Sequence, residues 1–268
     1  MTRQAEIHAW ASEIYDPNDP SRVDFTTQDA AYQAFEESLR VIKGTLGRWW
    51  LKRELHPRAS HLGGVLGLDA ADEPAGAITL YRIFNLAYEL HEARTVPGLE
   101  AFVRGLRSRS LTDAAAEMCA VRHCARAGEG VEFVEPQSSA SRSPDAVVVL
   151  GGRRVSVEVK ARAELPLTDY AERKIASTLG AARKQLPSSG PSLIYLRLSP
   201  PWSEDEATLN SVAEACDKFL FNSRRVNAVV LMLERRLPHP DRGGMAFQTG
   251  TLTIASRNPR VPLDEVQD

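Results

Sequence analysis

Long apolar runs and paired cysteines are the features that this sequence of 268 residues lacks. No run approaches the roughly 18 apolar residues that a membrane span needs. The first ten residues, MTRQAEIHAW, do not contain the apolar segment of a signal peptide. Three cysteines, an odd number, are typical of free thiols in a reducing compartment rather than of a disulfide framework. We therefore expect a cytoplasmic protein that does not associate with membranes.

The sequence also lacks an excess of charge of one sign, since its formal net charge is −2. A net charge this small gives no general attraction to nucleic acid. The charge is unevenly distributed along the chain. Residues 1–40 contain three Arg against eight Asp and Glu, whereas residues 142–184 contain nine Lys and Arg against five Asp and Glu. The second stretch is therefore locally basic, which fits either a nucleic-acid-binding surface or an ordinary solvated surface.

The first hundred residues have the pattern of a helical region. Apolar residues at helical spacing predict one helix over residues 27–54 and another over residues 77–94. Pro97-Gly98 then indicates a boundary. We predict a helical N-terminal region at residues 1–98 and a second domain at residues 99–268. The helical region could serve as a specificity element, as a lid, or as a dimerisation element in a homodimer.

From residue 99 the pattern alternates between helices and strands. Helices are predicted over residues 112–127, 168–186 and 204–221, and strands over residues 131–134, 192–198, 227–233 and 245–254. The stretch PDAVVVLGGRRVSVEVKAR contributes two further strands. The order helix, three strands, helix, strand, helix, strand predicts an α/β fold with a mixed sheet flanked by helices.

Gly151-Gly152 is a strong signal for a two-residue hairpin turn, because both positions can adopt positive φ. If these residues form the turn, counting outward from it places Asp145 opposite Glu158, with their Cβ atoms roughly 4.5–5.5 Å apart. Strand alternation places Lys160 on the face of Glu158. The alternating valines Val155, Val157 and Val159 occupy the other face, which we expect to pack on a helix.

Two carboxylates held this close repel each other, so the predicted pair of Asp145 and Glu158 needs a compensating charge. A divalent cation such as Mg²⁺ provides that charge, since it prefers oxygen ligands and often uses one or two carboxylates together with a substrate phosphate. A bound metal also lowers the pKa of water and stabilises charge on a phosphoryl group. Lys160 could neutralise the remaining charge or orient an attacking water.

Pro144-Asp145 followed at hairpin distance by Glu158-Val159-Lys160 resembles the signature of the PD-(D/E)XK nuclease superfamily. The resemblance extends over about residues 100–235 and implies a restriction-endonuclease-like fold. It implies that Asp145, Glu158 and the Val159 carbonyl bind Mg²⁺, for which Mn²⁺ can substitute, and that Lys160 assists the attacking water. It also suggests Glu117, on the preceding helix, as a further metal ligand, and Gln185 or Lys184, on the following helix, as a further catalytic residue.

The sequence therefore predicts a Mg²⁺-dependent nuclease whose partner is nucleic acid, with DNA as the expected substrate. RNA cleavage remains an alternative, as does a catalytically inactive nuclease fold that only binds nucleic acid or protein. In the simplest structural interpretation, Asp145 lies in a turn or at the start of a strand, Glu158 and Lys160 lie on a solvated strand face with a cross-strand ion pair, and Glu117 is an exposed helix residue.

Two other sets of residues are assigned to structure rather than to chemistry. Cys119, His123 and Cys124 share one helix, but structural zinc sites usually supply four ligands with paired spacing. The pair Trp49-Trp50 could stack on bases, but an aromatic pair on a helix is more typical of a core.

Overall fold

A computed structural model describes residues 28–55, 74–127, 130–133, 143–161, 171–198, 200–238 and 245–261 of the chain. The protein divides into two compact units, Met1–Arg122 and His123–Asp268. No helix among the described residues is long and apolar enough to cross a membrane. The start of the helix predicted over residues 168–186 and the last residue of the strand predicted over residues 131–134 lie outside the described residues.

The first unit is built from helices. They are α1 (Gln28–Leu46), α2 (Arg48–Leu55), α3 (Pro74–Glu92), α4 (Leu99–Leu106) and the larger part of α5 (Leu111–Ala127), with a 3₁₀ turn at Ala93–Thr95. The single helix predicted over residues 27–54 is wrong in one respect, because Gly47 adopts a φ of 94° and separates α1 from α2. A left-handed glycine is a common way to end a helix. Helix α4 was not predicted, although its apolar residues Leu99, Phe102, Val103 and Leu106 have helical spacing.

Side chains of α2 hold the segment that leads into α5. The Trp50 indole Nε1 donates a hydrogen bond to the Arg109 carbonyl at 3.1 Å, and Glu54 Oε2 accepts one from the Leu111 amide at 3.0 Å. The latter bond satisfies an amide in the first turn of α5 that has no partner within the helix. Trp50 is buried, as predicted, but Trp49 is 70% exposed. Adjacent residues of a helix do not share a face, so the pair cannot enter one core together.

The second unit contains one six-stranded mixed sheet in which the strands follow sequence order. Its strands are β1 (Gly130–Glu132), β2 (Ala146–Leu150), β3 (Arg153–Ala161), β4 (Ser192–Leu198), β5 (Ala228–Pro238) and β6 (Met245–Ala255). The pairs β1–β2, β2–β3 and β5–β6 are antiparallel, whereas β3–β4 and β4–β5 are parallel. The predicted order of elements and the mixed sheet are confirmed.

Helices connect the parallel strands and cover one face of the sheet. Helix α6 (Ala171–Gln185) joins β3 to β4, and α7 (Pro200–Glu204) with α8 (Glu206–Phe221) joins β4 to β5. The helix predicted over residues 204–221 begins later because Asp205 is its N-cap, accepting a 2.8 Å hydrogen bond from the Thr208 amide. Crossovers between parallel strands are right-handed, so two that advance in the same direction lie on the same face.

The main core of the second unit forms under these helices. Its largest members include Leu179 of α6, Trp202 of α7, Leu196 of β4 and Leu231 of β5, all buried. Strand β5 extends beyond the predicted residues 227–233 because its second half pairs with β6, from Glu234 opposite Thr249 to Pro238 opposite Met245. That pairing is a tertiary contact and leaves no local signal in the sequence.

The hairpin of β2 and β3 has the predicted turn and register. Gly151 and Gly152 have φ values of 53° and 70°, the pair of positive angles that a type I′ turn requires. The ladder runs from Leu150 opposite Arg153 to Ala146 opposite Val157. Asp145, one residue before β2, therefore occupies the next position, opposite Glu158.

Two glycine substitutions test backbone conformation without steric crowding. A Cβ at Gly152 or at Gly180 would have no other atom within 4 Å. Gly152→Ala forces an L-residue into a left-handed conformation and should cost about 1–2 kcal/mol of unfolding free energy. Gly180→Ala, within α6, should stabilise the protein by about 0.5–1 kcal/mol. Urea denaturation measures both. Shifts of the same sign would contradict the assigned turn.

Candidate metal centre

The residues of the predicted site lie where β2 begins and β3 ends. In the parallel register of β3 and β4, Glu158 is opposite Ile194 and Lys160 is opposite Leu196. Residues paired in this way share a face, and Ile194 and Leu196 belong to the core under α6 and α8. Glu158 and Lys160 therefore project from the face that these helices cover.

This arrangement corrects the expectation that the valines alone would face a helix. Val155, Val157 and Val159 are buried on the opposite face, but Glu158 is also buried, with 2% of its surface exposed. The reason is topological: β3 is an interior strand, and the crossover helix α6 that follows it covers the face that carries Glu158. The alternation itself is as predicted, but the structure does not divide the strand into one packed face and one solvated face.

Burial gives the Glu158 carboxylate an unusual set of neighbours. Its Oε1 accepts a hydrogen bond from Lys160 Nζ. Its Oε2 is buried and has no hydrogen-bond partner within the part of the chain that the structure describes. A buried polar atom without a partner costs about 1–3 kcal/mol, and more when it is charged. An oxygen in this position is suited to a ligand from outside the protein, such as a cation.

Asp145 is positioned by the backbone of β3. Its Oδ2 accepts a hydrogen bond from the Val159 amide at 2.8 Å, and this bond continues the hairpin ladder beyond Ala146. The amide and the carbonyl of one strand residue point to the same side of the strand. The Val159 carbonyl therefore points toward the side on which Asp145 lies. The hairpin thus supplies carboxylate oxygens of Asp145 and Glu158 and a main-chain carbonyl, all of which are ligands that Mg²⁺ accepts.

Burial and the neighbouring charge of Asp145 raise the pKa of Glu158 to about 8. Desolvation contributes most, since removal from water disfavours the charged carboxylate. The Asp145 carboxylate raises the pKa further, whereas Lys160 opposes the shift. The predicted repulsion between two close carboxylates therefore operates here, and the Lys160 ammonium compensates it in part.

Lys160 links the buried carboxylate to solvent. Its side chain is 31% exposed, whereas that of Glu158 is 2% exposed. The solvated strand face of the simplest structural interpretation is therefore wrong for Glu158, which is removed from water by the helices that cover it. An ammonium group at this position can contact a buried oxygen and still approach a molecule bound from outside.

Glu117 lies on α5 within the first compact unit and is 7% exposed. Its Oε1 forms a 3.1 Å ion pair with Arg109 Nε. It is therefore not the exposed helix residue that the simplest structural interpretation expects. Its role as a further ligand for the hairpin site stays a prediction.

Gln185 and Lys184 are exposed residues at the end of α6. Helix α6 returns from the end of β3 to the start of β4, so its first turn, rather than its last, lies toward the end of β3 at which Lys160 is found. Arg173 and Lys174 are the basic residues of that first turn. A Lys or Arg at a helix start has no distinguishing pattern in the sequence, so neither residue could be predicted as part of the site.

The residues set aside as a zinc site have structural contacts. His123 Nδ1 lies 2.8 Å from the Tyr195 hydroxyl oxygen, and Cys124 Sγ donates to the same oxygen at 3.2 Å. Burial raises the pKa of the Cys124 thiol to about 12, which opposes formation of a metal-binding thiolate. Among the described residues, no group of three or more His, Cys, Asp and Glu side chains is arranged to hold a metal ion.

Replacement of Glu158 tests its raised pKa. An unfolded Glu titrates near 4.5 and folded Glu158 near 8, so the folded state binds more protons between these values. The stability that neutral Glu158 contributes is complete below the lower pKa and is lost as the pH rises through the upper one. In metal-free buffer, wild type should therefore lose stability relative to Glu158→Gln from about pH 5 to about pH 8.

Urea denaturation across this pH range measures the difference. Glu132→Gln is the matched control, because Glu132 is an exposed carboxylate of the same sheet, paired with Arg154 at 3.0 Å. A stability difference between wild type and Glu158→Gln that does not change with pH would contradict the raised pKa.

Comparisons with known proteins do not assign a function to this site. No family model, no curated protein and no solved structure matches the chain. What the chain itself establishes is a mixed α/β sheet flanked by helices, with Asp145, Glu158 and Lys160 brought together on one hairpin.

Proposed function

We propose that the protein is a metal-dependent nuclease with a restriction-endonuclease-like fold that hydrolyses phosphodiester bonds, with DNA as its substrate. One observation carries the proposal: Glu158 Oε2 is buried beside Asp145 without a hydrogen-bond partner in the described part of the chain. Close carboxylates of this kind are costly for the fold and are useful where a cation binds.

The oxygen set fits Mg²⁺, with Mn²⁺ as a substitute. Asp145, Glu158 and the Val159 carbonyl would hold the ion. Mg²⁺ takes such hard oxygen ligands and keeps several waters. When bound, it supplies a water of lowered pKa and offsets charge on a phosphate group.

Lys160 would act on the attacking water. Its Nζ donates to Glu158 Oε1, and this bond fixes the ammonium next to the carboxylates. Because the side chain is partly exposed, the ammonium can also approach a water or a phosphate oxygen from solvent. In this position it orients the water and offsets the negative charge that develops during attack.

The arrangement of elements supports the choice of fold. A helix, three strands, a helix and a strand follow each other in the second half of the chain, with the first three strands antiparallel and the fourth parallel to the third. The acidic residues are at the start of β2 and near the end of β3, the positions that the resemblance to PD-(D/E)XK nucleases implies. The basic composition of residues 142–184 favours a polyanionic substrate.

Nuclease assays with Mg²⁺ or Mn²⁺ on plasmid, linear duplex, single-stranded DNA and RNA test the proposal. Asp145→Asn, Glu158→Gln and Lys160→Ala should each lower the cleavage rate by about 10²–10⁴-fold, the range expected for a group that acts in the transition state. Glu132→Gln and Arg257→Gln remove charges elsewhere in the unit and should leave the rate within about twofold. Cleavage that persists in Glu158→Gln or Lys160→Ala would contradict the assignment.

Isothermal titration with Mn²⁺ distinguishes the nuclease from an inactive nuclease fold. Binding by wild type that is lost in Asp145→Asn and Glu158→Gln supports the metal centre. Nucleic acid binding without any Mn²⁺ binding would instead indicate a binding module. Cleavage of RNA but not of DNA would correct the substrate and leave the centre in place.

A further inference from the structure

Four arginines surround an open cavity at the ends of α6 and α8. The cavity has a volume of about 310 Å³, and among the described residues its lining contains no Asp or Glu. Such a concentration of guanidinium groups is costly unless an anion or an ordered carbonyl faces it. The arginines are Arg183, Arg224, Arg225 and Arg260.

The protein itself holds the walls of this cavity. Arg260 Nη1 donates to the Ser188 carbonyl at 3.2 Å, and the Arg260 amide donates to the Arg224 carbonyl. Arg225 Nη1 lies 3.5 Å from the Leu186 carbonyl oxygen. The Arg260 guanidinium has five N–H donors in a planar fork, so one contact to a carbonyl orients the group without exhausting its donors.

Ser223 adds a buried polar group to the same cavity. The residue is 3% exposed and belongs to the cavity lining. Its Oγ has no hydrogen-bond partner within the part of the chain that the structure describes. A buried hydroxyl surrounded by arginines is a donor for an oxyanion that the guanidinium groups also attract.

A second groove adjoins the cavity and shares Arg183 and Asn222 with it. Phe219 lines this groove, together with small residues that include Gly180. The Arg183 guanidinium carbon lies 5.9 Å from the centre of the Phe219 ring. An aromatic ring beside a basic cavity offers a surface on which the base of a nucleotide can stack.

We propose that this arginine-lined cavity binds the phosphate group of a nucleotide, either within a nucleic acid strand or free. Arginine forks match the geometry of phosphate oxygens and make paired, charge-assisted hydrogen bonds with them. The cavity lies toward the starts of β4 and β5, away from the strand end that carries Lys160. It is therefore a site separate from the hairpin and does not rest on nuclease activity.

Fluorescence anisotropy of the full chain in EDTA tests the proposal, because cleavage cannot then affect the signal. The first probe is a labelled single-stranded DNA of about 12 nucleotides, a length within the range that single-strand sites cover. The second is adenosine monophosphate, followed by the chemical-shift changes that it causes in the protein. Arg224→Gln and Arg183→Gln remove charge from the cavity. The matched control is Arg257→Gln, because Arg257 is exposed and pairs with Asp217 at 3.2 Å outside the cavity.

Each cavity variant should weaken DNA binding by about tenfold or more, the loss expected for a charge-assisted contact to phosphate. The control should change binding by less than about twofold. Arg224→Lys keeps the charge but not the planar fork, so its affinity should be intermediate. A dependence on these arginines for adenosine monophosphate alone would support a free nucleotide as the ligand.

Equal binding by the cavity variants and by Arg257→Gln for both probes would overturn the proposal. So would cavity variants that unfold at lower temperature without any loss of affinity. In that case the arginines would serve to complement the C-terminal ends of α6 and α8, where helix dipoles favour positive charge.

Discussion

The pairing of β2 with β3 across the Gly151-Gly152 turn is the constraint on which the candidate site depends. A type I′ turn of two residues leaves one register available, and that register sets Asp145 opposite Glu158. A shift of the register by one residue would place the Asp145 and Glu158 side chains on opposite faces of the sheet. The hydrogen bond from the Val159 amide to Asp145 then extends the pairing to the site itself.

Helix α6 and the core beneath it remove the Glu158 carboxylate from water and so change its pKa. Without them Glu158 would be a solvated carboxylate on a strand, titrating near its ordinary pKa. With them it is desolvated beside Asp145, its pKa rises to about 8, and Lys160 becomes its charge partner. The hairpin is thus destabilised by its own composition, and the cation of the proposed function would relieve this cost.

The second unit presents two chemically distinct regions that the same helices create. The acidic hairpin lies toward the strand end that carries Lys160, and the arginine cavity lies where α6 and α8 end. Strand and helix run in opposite directions in a crossover, so residues distant in sequence meet at each end of the sheet. In the proposed nuclease, an acidic centre and a basic cavity on one sheet would contact different parts of one polyanionic ligand.

The sequence by itself determined the local features: the glycine turn, the alternation of β3, the order of helices and strands, and hence the pairing of Asp145 with Glu158. These follow from backbone sterics and from a period of two, both of which act between near neighbours. Tertiary structure alone decided that Glu158 is buried rather than solvated, that β5 extends along β6, and that arginines from 183 to 260 share one cavity. The physical reason is that burial and charge clustering depend on which surface covers a residue, and that surface comes from distant parts of the chain.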